Sequence, residues 1–510
     1  MEKEQSAGNK VYSKLHEAND ENYYLSLATK KYNEKNYFEA EKHFKELIKL
    51  FPPKAEYFSG LAVIQKKSGN FKEAEENYKN ALHINPSSFE SHYNLGILLY
   101  EQGKIKEAID SFRKSIEIKQ DLYLAYYNLG NIYREINEFD LSVECYEKAI
   151  SFKNDFDNAY YNLGVVSEKK RDFGKAFECY EKSTLYNPEN LNAQWNLALL
   201  YLQIGNYQKG LAKYEIRKKR DKSAKIIFTR PELKTEPVNN KKVFVYSEQG
   251  LGDSIQFVRY LKKLKNSGAY VIFECKPRLY ELFKCVDGID ELVPENNYNR
   301  SNIDYDYYVS LLSLPLYFNT SLKTIPAEVP YLKINQDKVK EWAGKIKKGQ
   351  NFNIGIAWSG ASANITGKDR SCLLSDFSQL SSLEGIKLYS LQEKLTYEER
   401  INSKYQVISF ENFDSVPFID TSAVIENLDL VISVDTSVAH LAGALGRPVW
   451  VLLPYHSDWR WLLNKQDSSW YPTMKLFRQS KPGEWGEVFS TVANELKKML
   501  LLNNKNVGLV

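Results

Sequence analysis

Four polar side chains follow a strongly apolar run in the last quarter of the chain. The run around Leu430 predicts a buried parallel strand, and Asp435, Thr436 and Ser437 come directly after it. A helix of small residues is predicted to begin there, with His440 one turn inside it. The first N–H groups of a helix lack partners and its positive dipole end attracts anions, so this turn is predicted to bind a diphosphate. His440 is then either a donor to the same oxygens or a buried structural histidine.

A second ligand-facing turn is predicted where VFVYS, a strand, passes through EQGLGDS into the amphipathic helix IQFVRYLKKLK. Gly250 and Gly252 give this turn room for a ligand to approach. Gln249 and Gln256 are weaker candidates for contacts on the same side. Asp253 ends the turn, where an aspartate commonly caps the helix that follows.

Further strand ends carry polar residues that belong to the same pattern. Ser359 and Gly360 follow the strand IGIAW, and Gln392 follows IKLYSL. Gln392 is predicted either to contact the base or ribose of a nucleotide or to be an ordinary strand-end residue. Together with QVISF, DLVIS and PVWVLL these strands predict a second α/β unit. This unit and the one that begins with VFVYS are expected to be two facing Rossmann-like halves, whose strand ends meet at one cleft. Trp459 and Trp461 could stack on a sugar, although tryptophans at such a seam are commonly part of the core.

An internal repeat of 34 residues organises the first 220 positions. Small residues and aromatics recur at fixed distances from a repeated leucine, which predicts six helical hairpins that resemble tetratricopeptide repeats. The repeated leucines are Leu27, Leu61, Leu95, Leu129, Leu163 and Leu197.

The first helices of the hairpins carry an aromatic residue followed by asparagine. Asparagine side chains can pair with the C=O and N–H groups of an extended peptide, so this ladder predicts a protein or peptide partner on the concave face. Helix packing within the repeats is the alternative role. The pairs are Tyr93 and Asn94, Tyr127 and Asn128, Tyr161 and Asn162, and Trp195 and Asn196.

Composition narrows the class of protein. A net charge of +4 over 510 residues gives no basic block, so nucleic acid is not an expected partner, and the run Arg217–Arg220 is predicted to be a solvated helix end. Five cysteines without C-x-x-C spacing predict reduced, buried thiols, which fits a cytoplasmic location. The first residues lack an apolar signal region, and no apolar run is long enough for a transmembrane segment.

The motifs EQGLGDSIQFVRYL, GIAWSG, RSCLLSDF, SLQ, NLDLVISVDTSVAHLAGALGRPVWVLLPYHSDWRW and WYPTMKLFRQ resemble bacterial tetratricopeptide-repeat proteins with a family 9, heptosyltransferase-like glycosyltransferase domain. This resemblance extends from about residue 20 to residue 499. It implies a multidomain fold, in which an all-α solenoid precedes a GT-B-type pair of Rossmann-like α/β domains. It also implies a nucleotide-diphosphate sugar as co-substrate, with no further cofactor.

The resemblance assigns roles to several of these residues. Asp253 matches the acidic residue taken as general base towards an acceptor hydroxyl, with Gly250, Gly252 and Gln256 on the acceptor side. Arg370 matches a cation beside the leaving diphosphate, which an inverting transfer without metal requires, and Lys368 competes for that role. No D-x-D pair stands at a strand end of the donor half, so a metal site is not expected. The predicted donor-binding residues are Ser359, Gly360, Gln392, Asp435, Thr436, Ser437 and His440.

The resulting hypothesis is a glycosyltransferase that transfers a sugar, by direct inverting displacement, to a protein acceptor recruited by the repeats. One alternative is a repeat-based interaction scaffold with an inactive nucleotide-binding domain, and another is a transferase acting on a glycan or lipid-linked acceptor. The predicted divisions are a tail at 1–20, six repeats at 21–220, a linker at 221–240, an acceptor-side domain at 241–340, a nucleotide-sugar domain with its closing helix at 341–502, and a tail at 503–510.

Overall fold

A computed structural model describes residues 21–220, 228–295, 303–346, 351–360, 369–392, 407–410 and 417–507. The chain divides into two compact units, residues 1–193 and 194–510. The domain boundaries given above stay predictions. None of the helices in the described ranges has the length and apolar character needed to cross a lipid bilayer.

Helical hairpins with the predicted period form the first part of the chain. Each hairpin buries a small residue and an aromatic residue of its second helix against its first helix. The helices that precede Pro52, Pro86 and Pro188 end two residues before the proline. The helices are α1 Glu21–Asn33, α2 Tyr37–Leu50, α3 Ala55–Lys67, α4 Phe71–Ile84, α5 Phe89–Glu101, α6 Ile105–Ile118, α7 Tyr123–Glu135, α8 Phe139–Phe152, α9 Asp157–Lys169, α10 Phe173–Tyr186, α11 Leu191–Gln203, α12 Tyr207–Tyr214 and the short α13 Arg217–Arg220.

The repeated glycine of the first helix makes space for an aromatic ring of the second. A Cβ placed on Gly130 would lie 2.6 Å from Cε1 of Tyr146, and one on Gly164 would lie 2.6 Å from Cε1 of Tyr180. Both tyrosines are fully buried. The glycine is therefore required by the close approach of the two helices.

Two parallel sheets follow the hairpins. Their helices and strands are β1 Lys242–Tyr246, α14 Leu251–Phe257, α15 Arg259–Asn266, β2 Tyr270–Cys275, α16 Tyr280–Phe283, β3 Glu291–Pro294, β4 Tyr307–Ser310, α17 Leu314–Tyr317, α18 Gln336–Lys345, β5 Phe352–Ala357, α19 Ser378–Ser381, β6 Ile386–Ser390, β7 Val407–Ile408, α20 Ile419–Glu426, β8 Leu430–Val434, α21 Ser437–Ala444, β9 Val449–Leu453, β10 Met474–Arg478 and α22 Gly486–Val507.

The four-stranded sheet has the order β3-β2-β1-β4, and the six-stranded sheet has the order β10-β9-β8-β5-β6-β7. Every strand pair in both sheets is parallel. The strands β1, β5 and β8 are buried almost throughout, as expected for parallel strands covered on both faces. One core spans both sheets through helices α14 and α21, and a second core lies between the six-stranded sheet and α22.

The last hairpin belongs to the same compact unit as the sheets. Tyr207 of α12 accepts a hydrogen bond of 3.1 Å from Trp470 Nε1 and stacks on that indole. Its ring also meets Trp459 edge-on, with 5.8 Å between ring centres. These contacts fix helix α12 to the segment that follows β9.

Several local expectations differ from the structure. The helix predicted from IQFVRYLKKLK is broken at Val258 into α14 and α15, and the strand β10 was not predicted. The prediction of a solvated basic run is wrong for Arg217, which is 5% exposed and paired with Glu215 and Glu248. The five cysteines are unpaired, but Cys285 is exposed rather than buried.

The glycine requirement predicts the effect of adding one methyl group. Gly130→Ala should lower the free energy of unfolding by roughly 1–3 kcal/mol, because the ring of Tyr146 must move from its packed position. Gly174→Ala in α10 is the matched control, since its Cβ would meet nothing nearer than Asp172 Oδ1 at 3.8 Å. That control should be neutral or slightly stabilising. Denaturant unfolding followed by circular dichroism measures both, and equal losses would contradict the packing argument.

Candidate functional site

Asp253 lies in the first turn of α14 and uses both carboxylate oxygens. Its Oδ2 accepts a hydrogen bond of 2.8 Å from the Gly250 backbone N–H, so the residue caps the helix. Its Oδ1 forms an ion pair with Arg460 Nη2. The capping role is therefore present, and the role as general base stays a prediction.

Gly252, beside Asp253, brings the two predicted half-sites together. A Cβ on Gly252 would lie 2.9 Å from His440 Cδ2 and 3.5 Å from the Cα of Ser437. The first turns of α14 and α21 are therefore in van der Waals contact. The sequence predicted that the turns after β1 and β8 converge, and in the structure they do.

The N-terminus of α21 has no side-chain cap. Thr436 stands at the capping position with extended backbone, and its side chain makes no capping hydrogen bond. Its hydroxyl instead pairs with that of Ser433 at 3.0 Å. The first N–H groups of the helix therefore have no side-chain acceptor among the described residues.

Asp435 and His440 are buried side by side. Asp435 Oδ1 lies 3.8 Å from His440 Nε2, and the exposed fractions of the two residues are 8% and 6%. Burial, and then the neighbouring Asp458 carboxylate, raise the pKa of Asp435 to about 6. Burial, followed by the charges of Arg460, Arg259 and Arg370, lowers the pKa of His440 well below its ordinary value of 6.5.

A neutral His440 is held in a defined orientation. Its Nδ1 lies 3.0 Å from the Tyr471 hydroxyl, and its ring stacks on Trp461 with 5.5 Å between centres. The packed ring fits the structural role predicted for His440, and its role as a donor to phosphate stays a prediction.

Arg460 is a site residue that the sequence did not indicate. It is 6% exposed, its Nε donates to Gln256 Oε1 at 2.7 Å, and its Nη1 donates to Asp458 Oδ1 at 2.9 Å. The only sequence signal was a charged residue between two tryptophans that are themselves buried. Such a charge must have partners in the fold.

Arg259 is the second such residue, 5% exposed in α15. Its guanidinium donates to the carbonyl oxygens of Gln256, Pro326 and Trp470 and to the Tyr331 hydroxyl. Among the described residues it forms no ion pair with an acid. No acid neutralises its positive charge, which is one of the charges that lower the pKa of His440.

The predicted residues at the ends of β5 and β6 lie together. The Gln392 amide exchanges hydrogen bonds with the Ser359 backbone, donating at 3.0 Å and accepting at 3.4 Å. The Gly360 N–H donates to Ser371 Oγ at 3.3 Å. The Arg370 side chain lies over Gly360, and its buried Nε has no acceptor among the described residues. Lys368, the competing cation, lies outside the described residues.

The turn before Asp253 is held by the last hairpin. Gln249 has a left-handed backbone with φ of 59°, and its side-chain amide exchanges two hydrogen bonds with the Tyr214 hydroxyl. Arg217 donates to Glu248 at 2.7 and 2.9 Å. Gln249 thus fixes the turn, while the fully buried Gln256 keeps an unpartnered Nε2.

The asparagine ladder makes hydrogen bonds between successive hairpins. Asn128 donates to the Tyr93 hydroxyl at 3.2 Å, and Asn162 donates to the Tyr127 hydroxyl at 3.1 Å. Asn162 also donates to Asn131 Oδ1 at 2.8 Å. Asn94 in α5 and Asn196 in α11 are half-buried. These contacts favour the packing role for two rungs, and peptide binding stays a prediction.

No group of three or more His, Cys, Asp or Glu side chains suited to a metal ion occurs within the described ranges. A pocket of about 720 Å³ opens beside Ser359 and is lined by Ser371, Cys372 and Trp485 with acidic residues at its rim.

The pKa of His440 predicts a stability that falls in acid. The unfolded chain protonates His440 below about pH 6.5 and the folded chain does not, so each lower pH unit costs up to about 1.4 kcal/mol. Asp435 acts oppositely, because its raised pKa lets the folded state take up a proton first as pH falls through about 6. When the pH is lowered from 7 to 5.5, the free energy of unfolding of His440→Gln should therefore fall by about 1 kcal/mol less than that of the native chain. Denaturant unfolding at both pH values measures this, and parallel losses would contradict it.

Family models match two separate parts of the chain. Residues 66–103, 98–133 and 130–171 match a family model described as TPR repeat, and residues 157–190 match one described as tetratricopeptide repeat. Residues 415–468 match the model of glycosyltransferase family 9 (heptosyltransferase), which includes Asp435, His440 and Arg460 but not Asp253.

Among curated proteins, the chain is 23% identical over 286 residues to Protein FlbA of Caulobacter vibrioides, a match that covers 51% of this chain and 47% of that protein. The chain therefore spans about half the length of the curated relative it matches. Among solved structures, the MamA protein is 27% identical over 33% of this chain and 92% of its own, with a TM-score of 0.31. Pseudomonas aeruginosa PilF is 17% identical over 40% of this chain and 93% of its own, with a TM-score of 0.37. The chain thus carries tetratricopeptide repeats, followed by an α/β region with a segment similar to glycosyltransferase family 9.

Proposed function

We propose that this chain is a glycosyltransferase with a GT-B-type pair of α/β domains, which transfers a sugar from a nucleotide-diphosphate donor. The observation that carries the proposal is the contact between Gly252 and His440, which brings the turn that holds Asp253 against the uncapped N-terminus of α21. A base for the acceptor and a binding site for the leaving group are the two parts that such a transfer needs.

In the proposed reaction, an acceptor hydroxyl gives its proton to Asp253 while its oxygen bonds to the anomeric carbon. The bond from that carbon to the phosphate oxygen breaks, and its electron pair stays on the departing diphosphate. The N–H groups of α21 and the Arg370 guanidinium stabilise this charge. Attack opposite the leaving group inverts the anomeric centre.

Positive groups of the protein supply the stabilisation in this mechanism. Arg370 has a buried Nε without an acceptor, and Arg259 has no acidic partner among the described residues. Both charges act on His440 beside the helix N-terminus. We therefore propose a reaction that needs no metal ion, which activity in the presence of EDTA would test.

The repeats are proposed to recruit a protein or peptide acceptor. The first compact unit holds five complete hairpins, α1 to α10, and first helices in such solenoids line a concave face. Asn94, on the first helix of the third hairpin, is half-buried. An acceptor of polypeptide would match the amide groups of this ladder.

The donor class is tested first by binding. The full chain is titrated with UDP-, GDP-, ADP- and CDP-linked sugars in a calorimeter, and a ligand that binds the folded state also raises its apparent stability. Binding of one class, weakened in His440→Ala, would support the proposal. If none of these nucleotide sugars binds, the chain is better described as an interaction scaffold than as a glycosyltransferase.

Asp253→Asn should abolish transfer while donor binding persists. The amide oxygen of asparagine can still cap the Gly250 N–H, but it cannot accept a proton at neutral pH. The expected loss of turnover is at least about 100-fold. Transfer of radiolabelled sugar, measured beside donor affinity, tests this.

Asp376→Asn is the matched control for capping. Asp376 accepts a hydrogen bond of 2.8 Å from the Leu373 N–H at the start of a short helix, as Asp253 does from Gly250, and it forms no ion pair among the described residues. That variant should keep its turnover. An Asp253→Asn enzyme with native turnover would contradict the base assignment.

The ladder is tested by removing either partner of its hydrogen bonds. Asn128→Ala with Asn162→Ala removes the amides, whereas Tyr93→Phe with Tyr127→Phe removes the hydroxyls and leaves the amides in place. Each of these two double variants should have a free energy of unfolding roughly 1–3 kcal/mol lower than that of the native chain.

If the amides bind the acceptor, only the asparagine pair should raise the KM for a protein acceptor. Equal kinetics in the two variants would assign the ladder to packing alone. If the radiolabelled sugar is found in glycolipid and not in protein, the acceptor is a lipid-linked molecule and the proposed protein acceptor is wrong.

A further inference from the structure

Arg460 occupies the seam between the two helix N-termini. Its Nη2 pairs with Asp253 at the start of α14, and the next residue, Trp461, stacks on His440 near the start of α21. The charge of Arg460 acts on both Asp435 and His440. A diphosphate bound at the N-terminus of α21 would therefore lie within the electrostatic reach of this guanidinium.

The three nitrogen atoms of Arg460 are held unequally. Its Nε donates to Gln256 Oε1 at 2.7 Å and its Nη1 to Asp458 Oδ1 at 2.9 Å, while the backbone N–H of Arg460 also donates to Asp458 Oδ1 at 3.0 Å. These contacts keep the guanidinium in place without Asp253. Only Nη2 pairs with the proposed base, so that one contact can change while the other two remain.

In Asp253, Oδ1 pairs with Arg460 Nη2 and Oδ2 accepts from the Gly250 N–H, so each carboxylate oxygen already has one partner. Resting Asp253 is in this state. Beside it, the buried Nε2 of Gln256 has no acceptor among the described residues, which marks a polar position that a ligand would satisfy.

Resting on the proposed function, we propose that Arg460 exchanges Asp253 for the donor diphosphate. Nε and Nη1 keep their contacts with Gln256 and Asp458, so the guanidinium stays in place. Asp253 Oδ1 leaves Nη2, and a phosphate oxygen replaces it as the acceptor of the Nη2 hydrogen bond. Asp253 Oδ1 then accepts the proton of the acceptor hydroxyl. The base becomes available only when the donor is bound, and the phosphate gains a cation as its C–O bond breaks.

This exchange makes Asp253 a competitor of the diphosphate for Arg460. Removing the competitor should strengthen nucleotide binding in a way that depends on the presence of Arg460. Asp253→Asn in the full chain should bind the matching nucleoside diphosphate about tenfold more tightly than the native chain. Calorimetry with UDP, GDP, ADP and CDP, each without sugar, measures this.

The effect must depend on Arg460. Arg460→Met should weaken nucleoside-diphosphate binding about tenfold. The double variant Arg460→Met with Asp253→Asn should bind no more tightly than Arg460→Met alone. Arg460→Lys, which keeps the charge without the guanidinium geometry, replaces the methionine variant if thermal unfolding shows that it is not folded.

Each result decides the matter. The exchange is supported if Asp253→Asn strengthens nucleoside-diphosphate binding when Arg460 is present and not when Arg460 is replaced. Unchanged or weaker binding of Asp253→Asn overturns it, as does equal tightening in both backgrounds, which would reflect only the loss of a negative charge. If the native chain binds no nucleoside diphosphate, the proposed function itself is wrong.

Discussion

The close approach of α14 and α21 at Gly252 and His440 is the constraint on which the arrangement of the site depends. Two helices can meet at their first turns only where one lacks a side chain, and a Cβ on Gly252 would lie 2.9 Å from the imidazole. Both helix N-termini direct partial positive charge towards the same seam. Buried carboxylates and an anionic ligand are the groups that such a seam accommodates.

The buried charges around this contact follow from the same constraint. Asp253 and Asp458 balance Arg460, whereas Arg259 is surrounded by carbonyl and hydroxyl oxygens and no acid among the described residues. A buried charge is costly unless it is paired or hydrogen-bonded, and Arg259 donates from all three of its guanidinium nitrogens without being neutralised. Burial, followed by the charges of Arg460 and Arg259, lowers the pKa of His440, so this residue stays uncharged.

The last hairpin contributes to the same region of its compact unit. Tyr214 holds Gln249, whose left-handed backbone is unfavourable for a residue with a side chain, and Arg217 holds the neighbouring Glu248. Two side chains of repeat-like helices thus fix the turn that leads to Asp253. Helix α12 is consequently part of the α/β unit in packing terms, although its sequence follows the period of the repeats.

The sequence predicted those features that depend on local patterns. The 34-residue period predicted the hairpins, and the apolar runs predicted most of the strands. The glycine turn and the residues after β8 predicted the two half-sites that converge. Arg460 and Arg259 could not be found in this way, because their roles come from partners more than 200 residues apart, as in the Arg460 contacts with Gln256 and Asp253. Arg217 was misjudged for the same reason, since a basic run carries no sign of the distant Ser313 and Glu248 that bury it.

The neutral state of His440 limits what this residue can contribute to diphosphate binding. A neutral imidazole has one N–H, and Nδ1 already lies 3.0 Å from the Tyr471 hydroxyl. If Nδ1 accepts from that hydroxyl, Nε2 carries the proton and can donate once, towards Asp435 or a phosphate oxygen. One neutral donor cannot offset the charge of a departing diphosphate. That charge must fall mainly on the N–H groups of α21 and on arginines, which is why the partners of Arg460 matter more to the proposed chemistry than the histidine that the motif contains.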